Sequence, residues 1–150
     1  MTSASAAPRS GFGTGLGRRV IAGTAGGVTG GIAFGILMAM MGMLPMVASL
    51  VGSDSAAVGF GLHMVISVLI GLGLTVPFGQ ILTGYGRGAL AGLAYGALWW
   101  VLGPLVLMPL MMGMPLFMVD VTGLMSLMGH LVYGAILGLT AVRILTSRRD

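Results

Sequence analysis

The chain contains no cysteine, no lysine and no glutamate. Without thiols there are no disulfides, no iron–sulfur clusters and no thiolate metal sites, and the redox compartment leaves no mark on the sequence. Without glutamate or lysine, and with no aspartate in the middle of an apolar stretch, a carboxylate proton relay of the usual transporter kind has no residues to run on. A Ser-His-Asp hydrolase is excluded in the same way, because no nucleophile motif accompanies either histidine. Arginine supplies all seven positive charges. These sit at the ends of apolar segments and not on one amphipathic face, so the formal charge of +4 is no nucleic-acid footprint.

What remains is overwhelmingly apolar. Hydrophobic residues make up 57% of the 150 positions and charged ones 7%, with a mean hydropathy of +1.06, whereas a soluble domain carries about 25% charged residues. Lipid is the solvent this composition fits. A chain of this length holds one domain of about four spans of roughly 20 residues each.

Residues 1–17 are rich in Ser, Ala and Gly and predict a disordered cytoplasmic tail, since such a composition cannot bury a core. The run Gly11 to Gly17 looks like a phosphate loop only superficially, because no strand precedes it. Arg18 and Arg19 open an uncharged stretch that runs to Asp54, longer than the apolar core of a signal peptide and without a small-residue cleavage site, so it predicts a retained first span. Beyond it the sign of charge alternates: Asp54, Arg87, Asp120, then Arg143, Arg148 and Arg149. Each interval is long enough to cross the hydrocarbon as a helix, a length of about 20 residues.

The prediction is therefore an all-α polytopic membrane protein with spans near residues 20–44, 57–81, 88–112 and 122–145. All the arginines then share one side, which the positive-inside rule makes cytoplasmic, together with both termini. In a bacterium that membrane is the inner one. The transmembrane domain covers residues 18–150, and the only obligatory partner is the lipid bilayer, with other membrane subunits or a homo-oligomer as further options and no nucleic acid.

The chain also reads as a doubled unit. The segment Gly129 to Leu139 echoes Leu62 to Leu72: in each a histidine is followed by Val two residues on, a small residue four on, Gly eight on and Leu nine on. His63 and His130 are the only two histidines. Met40-Met41-Gly42-Met43 before Pro45 is echoed by Met111-Met112-Gly113-Met114 before Pro115, and Asp54 by Asp120. Repeat 1 spans about 18–83 and repeat 2 about 84–150. Two spans per copy give both copies the same orientation, hence two tandem helical hairpins related by a pseudo-twofold axis along the membrane normal. Both histidines fall seven to nine residues into their spans, roughly 10–14 Å deep at about 1.5 Å per residue.

Gly23, Gly27, Gly31 and Gly35 recur every four residues, as do Gly84, Gly88, Gly92 and Gly96. Such glycine-zipper stripes let backbones approach closely in lipid, where packing replaces the hydrophobic effect. Spans one and three are expected to touch across the pseudo-axis, with a homo-oligomer contact as the alternative. Pro77, Pro104 and Pro109 should kink or end their helices.

The histidine faces carry the candidate chemistry. His63, Ser67 and Gly71 lie at i, i+4 and i+8, as do His130, Gly134 and Gly138, so each imidazole stands above a small-residue groove. Facing grooves would seat a planar macrocycle. The two histidines would then ligate one iron of haem b or a related tetrapyrrole, their nitrogens roughly 4 Å apart, with Tyr95, Trp99, Trp100 and Tyr133 lining the pocket. Such a protein would serve electron transfer or be a small subunit of a larger membrane complex.

Ten of the fourteen methionines fall in two clusters, Met38 to Met46 and Met108 to Met118. Thioethers with imidazole suit Cu(I), so His63, His130, Met40, Met43, Met111 and Met114 form a second candidate site, with Asp54 and Asp120 near its mouth. The alternative is that the methionines are adaptable filler, and the chain a structural or assembly subunit with no cofactor and no independent enzymatic activity. The whole chain resembles the small four-helix integral membrane proteins of bacteria, the segment Gly129 to Gly138 carrying the likeness. That resemblance implies the fold and brings no function with it.

Overall fold

The computed structural model describes residues 12–147, and within them the chain is all helical. Four helical stretches are long and apolar enough to cross a membrane: Gly15–Met40, Ala56–Ile81, Tyr85–Met112 and Val121–Thr146. The protein is a multi-pass membrane protein. Its first helix, α1, runs Phe12–Met40, so residues 12–17 of the expected tail are helical, and residues 1–11 lie outside the described part. The short α2 (Leu44–Ala48) and a 3₁₀ turn at Ser49–Val51 follow. Then come α3 (Ala56–Phe78), α4 (Tyr85–Leu102), a π-helical segment at Gly103–Leu107, α5 (Met108–Met112) and α6 (Val121–Thr146).

The repeated Met-Met-Gly-Met sequence is a helix stop. Gly42 (φ 66°) and Gly113 (φ 66°) both take the left-handed conformation that ends a helix and that a side chain disfavours. The amide of Met43 then bonds back to the Met38 carbonyl at 2.9 Å, and that of Met114 to the Pro109 carbonyl at 2.8 Å, the six-to-one bond of a Schellman cap. At the same end of the bundle Asp120 caps the start of α6, its Oδ1 accepting from the Gly123 amide at 2.7 Å.

Prolines shape the third span. Pro104 and Pro109 have no N–H to give, which removes the i to i−4 bonds to the carbonyls of Trp100 and Leu105. The helix widens into the π turn around Pro104, and the freed Leu105 carbonyl takes the amide of Phe117 at 3.0 Å. In lipid such a rescue is required, because no water is present to do it.

The helices pack in the order α3, α1, α6, α4, with α2 folded over α3 and no extended contact between α3 and α4. Accordingly α1 and α6 are the best covered spans, 44% buried each, against 28% for the second span and 17% for the third. The expected contact between the two glycine stripes is not made. Gly23, Gly27, Gly31 and Gly35 instead face α3, meeting Gly71, Ser67, Met64, Phe60 and His63, while Gly88, Gly92 and Gly96 face α6 at Gly138, Gly134 and His130. Each stripe closes its own hairpin. A methyl on Gly27 would stand 2.6 Å from the Ser67 carbonyl oxygen, so the helices approach at a distance only glycine permits. A second set on α1, Gly26 and Gly30, meets Leu137 and Tyr133 of α6 and joins the hairpins.

Charge and helix ends lock this order. Arg18 donates to the carbonyls of Ile144 (2.6 Å) and Ser147 (2.5 Å) at the end of α6. Its neighbour Arg19 donates to the Val76 carbonyl at 3.0 Å near the end of α3. Two adjacent guanidinium groups thus hold the negative ends of two helix dipoles.

Candidate functional site

Because α3 and α4 do not pack along each other, a cavity of about 300 Å³ remains between the second and third spans, toward the aspartate end. Its back wall is Phe34 and Met38 of α1 with Ser126 and His130 of α6, and its flanks are His63, Ile66 and Ile70 of α3 and Trp99, Pro104 and Met108 of the third span. Met43, Met46, Val47 and Leu50, from α2 and the segments flanking it, close it toward the aspartate end. Ile66, Ile70, Trp99 and Met108 are only part-buried and Leu107 and Met111 are exposed. The cavity therefore opens sideways, between α3 and the third span, at a depth where the bilayer is the surroundings.

Both histidines reach this cavity, and each is held by one backbone carbonyl. His63 Nε2 lies 2.9 Å from the Gly31 carbonyl oxygen, and His130 Nδ1 lies 2.8 Å from that of Ser126. A carbonyl only accepts, so the bonded nitrogen carries the hydrogen and the other nitrogen of the neutral ring keeps a lone pair. The hydroxyls of Ser67 and Ser126 stand 3.4 Å from the same bonded nitrogens. Between the rings stands Phe34, its ring centroid 5.3 Å from that of His63 and 4.8 Å from that of His130, edge-on to both. Room for Phe34 comes from Gly129, whose missing side chain would occupy the position of the phenyl ring.

Below the histidines the protein is closed. Tyr133 donates to the Ser67 carbonyl at 2.6 Å and Tyr95 to the Ile70 carbonyl at 3.0 Å. These two hydroxyls bridge the gap to α3, and a small second cavity of about 50 Å³ lies beside them. Further down, Thr75, Leu82, Leu137 and Val142 are fully buried.

The expected site residues are thus partly brought together. His63 and His130 share one cavity. Gly71, Gly134 and Gly138 instead line the two hairpin seams, packed against the glycine stripes of α1 and α4, and Ser67 lies both on its seam and on the wall of the smaller cavity with the two histidines. Of the expected copper ligands Met43 and Met111 line the cavity, together with Met38, Met46 and Met108, whereas Met40 and Met114 do not. Among the described residues no group of three or more His, Cys, Asp or Glu side chains forms. Trp99 lines the cavity as expected and Tyr133 its smaller neighbour. Trp100 turns away and donates to the Gly123 carbonyl at 2.9 Å.

One residue has no counterpart in the sequence reading. It is Phe34, whose signal was its place at i+4 and i+8 from Gly30 and Gly26. Trp99 was expected here, and its Nε1 is, among the described residues, the one buried polar side-chain atom without a hydrogen-bond partner. Compared with family models, curated proteins and solved structures, the chain finds no match. Function must be read from the cavity itself.

Proposed function

We propose that this protein is a multi-pass protein of the bacterial inner membrane, termini in the cytoplasm, that binds a small lipid-phase molecule between its second and third spans. The observation that carries the reading is the sideways-open cavity of about 300 Å³ with two imidazoles and an indole on its wall. Small-molecule sites have this character, mostly apolar with a few placed polar groups, and begin at about 300 Å³. Intramembrane ionisable side chains are functional by default, and methionine walls adapt to the shape of an apolar guest. The arginine end faces the cytoplasm by the positive-inside rule, which puts the cavity in the outer half of the bilayer.

The test is a titration of nanodisc-reconstituted Trp100→Phe protein, in which Trp99 is the sole fluorophore, with a brominated benzene that quenches indole emission. Saturable quenching is expected, and it should be lost when Ile66→Phe with Ile70→Phe fills the cavity without adding an indole. Quenching that only tracks partition into the bilayer, unchanged by Ile66→Phe/Ile70→Phe, overturns the reading.

A second reading has one observation in its favour: five thioethers from both methionine clusters line the cavity that holds the two imidazoles, a donor set that suits Cu(I). Retention of one Cu(I) per chain against a competing chelator, lost in His130→Ala and in Met38→Leu/Met108→Leu, would establish it in place of the first.

A further inference from the structure

The hydrogen-bonding groups on the cavity wall are alike in kind, and that likeness selects a ligand. We infer that the guest is an aromatic diol of the quinol class, bound in preference to its oxidised dione; this rests on the lipid-phase reading of the cavity. His63 has given its N–H to the Gly31 carbonyl and His130 its N–H to the Ser126 carbonyl. Each ring therefore offers the cavity a lone pair and no hydrogen. Trp99 Nε1 is buried out of reach of a guest, so the indole meets the cavity with its carbon faces. The wall presents two acceptors and no donor.

A guest that satisfies both must bring two hydroxyl hydrogens. A benzene ring with two hydroxyls does this. A dione has only acceptors and finds no partner. An alkyl ether of the diol has the same shape and the same deficiency. The side opening between Ile66 and Ile70 on one flank and Leu107 on the other leaves an aliphatic tail of the guest in lipid while the ring sits inside.

The test compares three ligands on the unmodified protein in nanodiscs under anaerobic conditions: a decyl-tailed benzoquinol, the matching benzoquinone and the quinol dimethyl ether, each by calorimetric titration against empty nanodiscs. Two hydrogen bonds separate the diol from the other two, so it is expected to bind about twentyfold more tightly, at about fivefold per bond. Trp99→Phe should leave the diol's affinity within about twofold, whereas His130→Phe should weaken the diol about fivefold and reduce its advantage over the dimethyl ether. Quinone or ether binding within about twofold of the diol overturns the class of ligand while bromobenzene quenching still stands. Absence of saturable quenching by bromobenzene fails the cavity reading itself, so the two failures are told apart.

Discussion

Phe34 sits where the two halves of the chain meet, and Gly129 makes its position available. A Cβ at residue 129 would coincide with the phenyl ring, so Gly129→Ala must displace Phe34 from between the histidines. The expected cost is about 1–3 kcal/mol, the usual penalty of overpacking. Gly61→Ala, where nothing lies within 4 Å, should leave the thermal midpoint unchanged, and the comparison is made by scanning calorimetry in detergent. The histidines were legible as a pair because imidazoles are rare in apolar spans and stand out by type. Phe34 was not, since one more apolar residue among many carries no mark of its role. Its ring lies between the two imidazoles, and α1 and α4 pack over Ser67, Gly71, Gly134 and Gly138. The absorption spectrum of protein purified from haem-replete cells tests tetrapyrrole ligation directly: a Soret band with sharp reduced maxima, abolished by His130→Ala, would establish it, and a featureless spectrum would sink it.

At the scale of single helices, the ends are governed by residues the sequence displays openly. Charge alternation located the spans to within a few residues, because a charge cannot be left in hydrocarbon and so marks each boundary. The caps were less legible. The methionine repeats read as metal ligands or filler, and the glycine inside each repeat turns out to stop a helix with φ of 66°. Gly113→Ala should destabilise by about 1 kcal/mol, since a side chain resists the left-handed region. Arg18 and Arg19 counted only as topology signals, yet both are bonded to carbonyls at the ends of other helices. Arg19→Ala is expected to lower stability by about 1–2 kcal/mol through loss of a charged hydrogen bond to a helix end. Unfolding in SDS measures it, with Arg87→Ala, whose nearest partner is Thr83 within its own turn, as the control.

For the molecule as a whole, the four helices were legible and their order was not. Periodic glycines announce that a helix will be approached closely, but a stripe carries no address, and each could have met any other. Connection length does not settle it either, since the shortest link, residues 82–84, joins the two spans that do not pack along each other. Each stripe meets the small residues of the other helix in its own hairpin, and α1 and α6 form the centre. The absence of cysteine makes the order directly testable. Thr29→Cys with Thr140→Cys, whose hydroxyl oxygens lie 3.4 Å apart across α1 and α6, should form a disulfide under mild oxidation, and Thr29→Cys with Leu93→Cys, both at exposed positions on spans one and three, should not. The reverse result would restore a contact between spans one and three.

The tyrosine hydroxyls beneath the histidines carry a consequence for access to the cavity. By pinning α3 to α4 and α6 they leave the cavity a cup with a floor, above a lower half in which glycine backbones touch. Whatever enters from the membrane must leave by the same side. Between that floor and the arginine end stand the fully buried Thr75, Leu82, Leu137 and Val142, so the cavity is a berth reached from the lipid and not a vestibule to the far face.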